Sequence, residues 1–361
     1  MYTKHFIILL ILSTILSCKP TPKTSSDPKG TIVWDVNPSI KLSSYIDSVE
    51  YIALETHPDG LFKMIEKLII QDDQIFILDF RHRNQVLVFD TTGKFLFPVG
   101  TLGRGPGEFL ETRNFTVDSN YIYIIDNSQA RLLLYDHEGN HVTTKTLPKM
   151  AFDMAILGNG DYLFCRHYVE GANEKVNHKI IITDKDMNIK RELLPVDESD
   201  CFNMDKLNFF TRNDESIVFH TLLSDTLTFF NRHDATTRTT LYFDFTSRSI
   251  PMKWRSDFHK VTDKHQFLYE TPFVTPKYII GEDFSEFYII DRAKEKVIRN
   301  SKEEGDYFIY SPLFVKDNAI IAEIDVDMYH EFIKSGLKRA PEEIEKRLEQ
   351  DDCVLIKYIL K

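Results

Sequence analysis

The sequence predicts an all-β fold, a six-bladed β-propeller of four-stranded antiparallel blades whose ring is closed by an N-terminal strand. The first observation is a repeat. Residues 74–94 and 121–140 share an apolar strand ending in Asp, a polar turn, a second apolar strand and an Asp-x-x-Gly turn. The second is its period of about 46 residues, which is typical of propeller blades. The third is a composition rich in Phe and Tyr with little helical periodicity, as strands prefer.

An Asp after the third strand of each unit marks the repeat along the chain. The Gly of the turn is absent after the second copy, so the later turns are expected to adopt another geometry. The longest step contains an insertion at residues 247–264. Five units are therefore visible, with markers at Asp90, Asp136, Asp184, the segment 229–234 (position 231 by spacing) and Asp291.

The sixth unit ends in the apolar segment 354–361 and lacks an outer strand. An N-terminal segment, either 31–36 or 48–54, can supply that strand and so remove two exposed sheet edges. One continuous propeller is therefore expected over residues 31–361, with six blades as the best count and five or seven as the alternatives.

A single helical insertion is predicted within the sixth unit, over about residues 335–350. Pro341 suits the first turn of a helix, and Glu342 and Glu343 suit the positive end of its dipole. Ile344 and Leu348 then share one apolar face.

The first residues predict an exported lipoprotein. Residues 1–17 form a signal peptide with one firm positive charge and an apolar run too short to span a bilayer. They lead into Leu-Ser-Cys18, which has the form of a bacterial lipobox, so Cys18 is the expected lipidation site. Residues 18–30 form a flexible tether rich in Pro, Ser and Thr. The alternative is an ordinary secretory signal in which Cys18 has no role.

The charge, cysteine and histidine content of the chain argues against several kinds of partner and metal site. The formal net charge is −11, and nucleic-acid binding depends on basic patches, so no nucleic-acid partner is expected. The cysteines beyond Cys18 show no CxxC or metal-ligand spacing, which favours free thiols over a disulfide. The 12 histidines form no HxH or HExxH pair, so no transition-metal site is predicted.

Residues 100–109, with the sequence GTLGRGPGEF, are the sharpest of three segments that resemble the six-bladed β-propeller lipoproteins of Bacteroidota, whose repeats are similar to NHL repeats. The other two are 49–56 and 354–358. The resemblance covers nearly the whole chain after Cys18 and implies the propeller fold and an envelope location, but no established reaction. Surface lipoproteins of these bacteria often carry acidic residues after the Cys. Residues 19–23 have none, so an outer-membrane anchor facing the periplasm is expected.

The glycine-rich segment has two interpretations. It could cradle a phosphate with backbone amides, but it lacks the Lys-Ser/Thr of a P-loop. The favoured interpretation is a stiff connection between two blades, which would hold Arg104 and Glu108 near the channel mouth.

Other candidate ligand contacts are polar residues in the connections of the first blades. Arginine forks suit carboxylates, phosphates or sugar hydroxyls, and an aromatic ring can stack on a sugar or base. The alternative is that these are solvated turns, in which Asp79 and Asp126 bond to their own backbone. The predicted ligand-binding residues are Phe80, Arg81, His82, Arg83, Arg104, Glu108, Arg113, Asn114, Arg131 and His167.

Two functional hypotheses follow. The first is a monomeric, non-catalytic binding module that needs no cofactor and binds a glycan, a peptide or an envelope protein. The alternative is a metal-dependent hydrolase or lyase whose carboxylate-lined central channel holds a divalent cation such as calcium. Neither sialidase-type turns nor a Gly-x-Ser-x-Gly elbow is present, and no catalytic residue is assigned.

Overall fold

The prediction of a six-bladed propeller is confirmed. The computed structural model describes residues 30–36, 41–166, 176–197, 200, 206–236, 238–283, 286–300 and 306–361. This part of the chain forms six antiparallel four-stranded sheets, each of which is a blade, and one sheet carries a fifth strand. In five blades the four strands follow one another along the chain, and the sixth combines three C-terminal strands with an N-terminal one. The first strands of neighbouring blades contact one another in series, so they surround the axis of the ring.

Two strands precede the blades, β1 (Gly30–Val33) and β2 (Ile46–Ala53). Blade 1 consists of β3 (Lys67–Gln71), β4 (Gln74–Asp79), β5 (Gln85–Asp90) and β6 (Phe95–Val99). A short parallel pair, β7 (Thr101–Leu102) and β8 (Glu108–Phe109), leads to blade 2. Blade 2 consists of β9 (Asn114–Val117), β10 (Ile122–Asp126), β11 (Arg131–Tyr135) and β12 (His141–Thr146).

Blade 3 consists of β13 (Asp153–Ile156), β14 (Tyr162–Cys165), β15 (His178–Thr183) and β16 (Ile189–Pro195). Blade 4 has β17 (Phe210–Arg212), β18 (Ser216–Phe219), β19 (Thr226–Asn231) and β20 (Arg238–Asp244). Blade 5 has β21 (Phe273–Val274), β22 (Tyr278–Glu282), β23 (Phe287–Asp291) and β24 (Lys296–Arg299). Blade 6 has β25 (Phe314–Lys316), β26 (Ala319–Ile324) and β27 (Val354–Leu360).

The ring is closed by the second of the two N-terminal segments. Strand β2 pairs antiparallel with β27, from Ala53 opposite Val354 to Ile46 opposite Leu360, and becomes the outer strand of blade 6. Strand β1 instead pairs in parallel with β20 and adds a fifth strand to blade 4. The side chain of Trp34 then packs against blades 4 and 5, with its ring centre 5.0 Å from that of Tyr288.

Antiparallel strands place the connections alternately on two faces of the ring. The turn face carries the tight turns that join first to second and third to fourth strands. The loop face carries the longer connections, including those between blades. Two helices lie there after β26, α1 (Val326–Lys334) and α2 (Glu342–Glu349). Only α2 falls in the predicted insertion. Among the described residues, no helix is long and apolar enough to cross a membrane.

The expectation that turns lacking Gly adopt another geometry is wrong for blade 3. The Asp90 carboxylate accepts hydrogen bonds from the N–H groups two and four residues later, and the Asp184 carboxylate does the same. Met187 takes the place of Gly93, with φ of +68° against +90°. Met187 is buried between blades 2 and 3, and this packing offsets the cost of its left-handed conformation.

The repeat marker of blade 4 is Asn231, the position that the spacing of the repeat gives. Asn231, at the end of β19, accepts the hydrogen bond from the N–H two residues later, as Asp does in the other blades. Asp234 lies within the turn that follows, where its carboxylate binds Thr236.

Candidate functional site

A cavity of about 1090 Å³ lies along the axis of the ring. Residues of all six blades line it, but blades 2 and 3 contribute only Thr116 and residues 154–156. The cavity therefore lies chiefly against blades 4, 5, 6 and 1. Its main lining segments are 64–71, 207–217, 269–277 and 310–318.

The segment that leads into blade 4 crosses the loop face of the axis. Asn114 of blade 2 donates its amide protons to the carbonyl oxygen of Leu207 at 2.7 Å and to that of Phe152 at 2.9 Å. Asn208 donates to the carbonyl oxygen of Glu66 in blade 1 at 3.4 Å, and Thr271 of blade 5 donates to the Asn208 carbonyl at 2.8 Å. Contacts from three blades thus fix this segment across the channel.

A buried polar network supports that crossing. The Lys67 ammonium donates to the Asn114 amide oxygen at 2.8 Å and to the Asp153 carboxylate at 2.9 Å. The second oxygen of Asp153 accepts the N–H groups of Phe209 and Phe210, both at 2.9 Å. Lys67, Asn114, Asp153 and Phe210 are the first residues of the inner strands of blades 1 to 4. The network therefore ties four blades together on one face of the channel.

An arginine crosses the other end of the channel. Arg212, the last residue of β17, donates to the carbonyl oxygen of Val117 in blade 2 at 3.0 Å and to the side-chain oxygen of Gln71 in blade 1 at 3.3 Å. Blade 1 lies opposite blade 4 in a six-membered ring, so the side chain spans the axis at the turn face. Burial, and then repulsion from Arg232, lowers the pKa of Arg212.

The loop-face end is acidic and poorly solvated. Burial raises the pKa of Glu270 to about 7, against the opposing attraction of Lys206, and one carboxylate oxygen of Glu270 is buried without a hydrogen-bond partner. Burial also raises the pKa of Glu282. The Lys206 ammonium lies 3.0 Å from Nδ1 of His220, and burial lowers the pKa of Lys206 to about 8. Burial keeps the pKa of His220 well below its usual range, so its neutral ring can accept this hydrogen bond.

Comparison with known proteins assigns the family. The model of the family described as "Domain of unknown function (DUF4934)" matches residues 31–356. The chain belongs to this family. No curated protein matches it.

Solved structures show the fold that this DUF4934 chain shares. It is similar to a Bacteroides fragilis protein thought to be exported, with 17% identity and a TM-score of 0.71 over 92% of this chain and 100% of that one. It is more distantly similar to a member of the DUF4221 family from Bacteroides vulgatus, with 11% identity and a TM-score of 0.49 over 88% and 97% of the chains. At 17% identity the likeness to the Bacteroides fragilis protein shows the fold alone.

Three of the predicted ligand contacts in the DUF4934 chain gather at the loop face. The Arg113 guanidinium is sandwiched between the rings of Phe80 and Phe152, at 5.2 and 4.8 Å from their centres. Arg81 forms a salt bridge with Glu66 at 2.8 Å, and its side chain lines the cavity. Of the ten predicted ligand contacts, Arg81 is the one described residue that lines the channel.

Two further candidates stabilise the connection after β4. The backbone N–H of His82 donates to the buried Asp79 carboxylate at 3.0 Å, as the alternative of a self-bonded turn predicts. Arg83 points to the rim of blade 1, where it donates to the carbonyl oxygens of Leu61 and Asp59 at 2.7 and 2.6 Å. The Asp79 carboxylate and the Arg83 side chain therefore hold these loops together.

The glycine-rich segment lies at the rim between blades 1 and 2, and not at the channel mouth where Arg104 and Glu108 were expected. The Glu108 carboxylate accepts the N–H of Gly105 at 2.7 Å, and Arg131 donates to the Glu108 carbonyl at 2.8 Å. Arg104 is exposed there. Its neighbour Gly107 has φ of +73°, and a side chain at that position would strike His141.

Asn114 and His167 complete the set. Both amide protons and both acceptor positions of Asn114 are used within the protein, by Phe152, Leu207, Lys67 and Phe115. Its observed role is to hold blade 4 against blades 1 and 2. His167 lies outside the described residues.

The sequence interpretation overlooked the residues that give the channel its charge, Arg212, Glu270 and Glu282. The sequence did contain a pattern that indicates the buried polar network beneath the crossing segment. Lys67 and Asp153, like Asn114, are polar residues that open an apolar inner strand. No comparable pattern singles out Arg212, because its partners lie 95 and 141 residues away.

Proposed function

We propose that this protein is a non-catalytic binding module of the cell envelope that takes a glycan or peptide into its central channel. The observation that carries the proposal is the cavity of about 1090 Å³, with walls built by all six blades. Its volume suits a ligand of several residues or sugar units, since pockets for small molecules measure about 300–1,000 Å³.

The lining of the cavity suits such a ligand. Half-buried aromatic rings stand at the start of two inner strands, Phe273 in blade 5 and Phe314 in blade 6, with ring centres 6.3 Å apart. Exposed aromatic rings offer a large apolar contact to a sugar or side chain. Charged groups at both ends of the channel can then fix the ligand's orientation, as Arg212 and Glu270 would do.

A metal-dependent hydrolase or lyase is less well supported. Such an enzyme would need free carboxylate oxygens converging on a cation. The carboxylates that end or begin the strands of blades 1 to 3 instead accept protein N–H groups. Asp79 binds the N–H groups of Lys63 and His82, and Asp126 binds that of Leu110. Asp153 is occupied in the same way by blade 4.

The anchor and the location are part of the proposal. The segment ending at Cys18, together with the resemblance to NHL-like envelope lipoproteins, supports lipidation of Cys18. The similarity to a protein thought to be exported supports an extracytoplasmic site. Twelve residue steps from Cys18 to Gly30 reach at most about 40 Å, so the tether would keep blade 4 close to the membrane. The absence of acidic residues at 19–23 favours the periplasmic side of the outer membrane.

A binding screen tests the ligand class. The chain without its first 18 residues, none of which belongs to the described fold, would be applied to glycan and peptide arrays. We expect a specific ligand whose affinity falls about tenfold or more in Phe273→Ala, because a buried aromatic contact is worth roughly 1.5–3 kcal/mol. Phe97→Ala is the matched control, since Phe97 is also half-buried but lies at the rim.

Two results would overturn this proposal. One is the absence of any specific glycan or peptide ligand. The other is a ligand whose affinity responds to Phe97→Ala and not to Phe273→Ala, which would place binding at the rim. The anchor is tested separately by Cys18→Ala in the producing cell, which should release the protein from membranes. Retention of that variant would refute lipidation at this residue.

A further inference from the structure

We infer that the turn-face end of the channel is a subsite for an oxyanion, such as the carboxylate of a ligand, held by the Arg212 guanidinium with Arg232 beside it. Both side chains line the cavity. The inference rests on the proposed function, because it names the chemistry that one end of the same channel recognises.

Arg212 has unused hydrogen-bonding capacity in the channel. A guanidinium carries five N–H donors, and Arg212 makes two hydrogen bonds, to the Val117 carbonyl and the Gln71 side chain. Within the described residues no carboxylate lies within 4 Å of it. Two neutral acceptors from the neighbouring blades 1 and 2 thus hold the side chain across the axis, and the remaining donors stay available to a ligand.

The positive charge of Arg212 is only partly balanced within the protein. Burial and the nearby Arg232 both lower the pKa of Arg212, so both disfavour its charged form. Asp118 is close enough to attract the guanidinium, but its carboxylate already accepts the N–H of Tyr121 at 2.9 Å and the hydroxyl of Tyr123 at 2.9 Å. An oxyanion would relieve the repulsion, and guanidinium forks bind carboxylates bidentately.

The acidic residues at the turn-face end do not balance the charge of Arg212 as a bound oxyanion would. Asp214, Glu215 and Asp317 line the mouth but are exposed to solvent. Asp214 is fully exposed and lies 3.8 Å from Arg232, a distance at which an exposed pair contributes little. The partly desolvated charge of Arg212 is therefore the dominant feature of the inner part of this mouth.

The opposite end of the channel gives the ligand a direction. Glu270 and Glu282 line the cavity at the loop face, where they disfavour an anion and each other. An elongated ligand would thus bind with its anionic group toward the turn face and its neutral or cationic end toward the loop face. The inner strand β3, with five residues, sets a separation of about 13 Å between the two ends.

Simple anions test the subsite without knowledge of the ligand. Sodium acetate, and in a second series sodium phosphate, would be titrated into the chain lacking its first 18 residues while sodium chloride holds the ionic strength constant. The unfolding temperature is the readout, because an anion that binds the folded state raises it in a saturable way. We expect a saturable rise for the natural sequence. In Arg212→Gln the apparent Kd should increase about tenfold or more, since a hydrogen bond to a charged group contributes about 1.5–3 kcal/mol.

Arg83→Gln is the matched control. Like Arg212, Arg83 donates to backbone carbonyls and to a glutamine side chain, but it lies at the rim of blade 1. Its loss should leave the anion titration unchanged. If Arg212→Gln does not fold, Arg232→Gln decides the question, because the Arg232 side chain is 42% exposed and its replacement should weaken binding severalfold without unfolding the chain.

The inference is overturned if the anions stabilise all variants equally and without saturation, or if folded Arg212→Gln binds acetate and phosphate as tightly as the natural sequence. Arg212 would then be only a brace across the channel. The array screen has an independent outcome. A glycan or peptide that needs Phe273 but binds regardless of Arg212 would keep the proposed function and reject the subsite. A saturable anion effect in the absence of any glycan or peptide ligand on the arrays would keep the anion subsite and reject the proposed function.

Discussion

The network beneath the crossing segment predicts a large loss of stability in Asp153→Ala. The Asp153 side chain is fully buried, and its carboxylate accepts the Lys67 ammonium and the backbone N–H groups of Met154, Phe209 and Phe210. Alanine removes every one of these acceptors. Among the described residues, the Lys67 side chain, which is 11% exposed, then keeps the Asn114 oxygen as its hydrogen-bond acceptor.

The expected magnitude follows from those contacts. Removing one partner of a buried ion pair costs about 3–5 kcal/mol, and each buried N–H left without an acceptor adds about 1–3 kcal/mol. Water entering from the adjoining channel would reduce the total, so we expect Asp153→Ala to lower the free energy of unfolding by about 4 kcal/mol. Asp153→Asn keeps one acceptor oxygen and should lose about half as much.

Urea unfolding at neutral pH, followed by far-UV circular dichroism, measures the change as a shift in midpoint at constant slope. Lys67→Met in the Asp153→Ala background should recover part of the stability, because it removes the uncompensated charge, with a coupling energy above about 1.5 kcal/mol. The exposed pair Lys346 and Glu342 is the control, and its double-mutant cycle should give about 0.3–0.5 kcal/mol.

Two outcomes would refute this reasoning. A loss below about 1 kcal/mol in Asp153→Ala would mean that water replaces the carboxylate without penalty. Additive effects of Lys67→Met and Asp153→Ala would mean that the two charges are not energetically linked. Either result would remove the ion pair as the support of the crossing segment.

Three further predictions concern the turns, the acidic end and the N-terminal strand. Gly93→Ala should lower the unfolding temperature clearly more than the control Gly336→Ala. Both glycines have positive φ, but only at Gly93 would a new Cβ lie 2.2 Å from the Ala53 carbonyl oxygen. Equal losses in the two variants would contradict this prediction. The raised pKa of Glu270, about 7, means that the folded state keeps its proton to higher pH than the unfolded state, so stability falls as pH rises from about 4.5 to 7. Glu270→Gln should flatten that slope in urea unfolding at several pH values, and an unchanged slope would argue against it. Trp34→Ala should speed proteolytic cleavage of the segment before β2 and leave the main unfolding transition nearly unchanged, because the indole packs β1 against blades 4 and 5. A variant that is cleaved no faster than the natural sequence would show that β1 stays paired with β20 without the indole.

The repeating parts of this protein were readable because they are local. Apolar strands that end in Asp and recur about every 46 residues predicted the blades, and Asp79 and Asp126 make the self-bonded turns expected of them. The same local logic erred where packing intervened. Met187 adopts the left-handed conformation that the pattern reserved for Gly, because neighbouring blades bury it.

The candidate site was less accessible to prediction. Arg81 was expected near the ligand and does line the channel, whereas Arg104 and Glu108 lie at the rim, because the glycine-rich segment packs against the outer strands of blade 2. Polar turn residues look alike in a sequence whether they face the axis, the rim or a neighbouring loop. Their separation depends on where each connection lies in the ring.

Local pattern thus specifies the order and strand content of the repeated blades, since a strand and its turn interact within a few residues. Ring closure specifies the rest. Segments 31–36 and 48–54 are equally apolar, and only the position of β27 selects the second as the closing strand. Arg212 and Gln71, 141 residues apart, meet only because blade 4 stands opposite blade 1. The channel's charge is a property of that closed ring, because Arg212 comes from blade 4 and Glu270 and Glu282 come from blade 5.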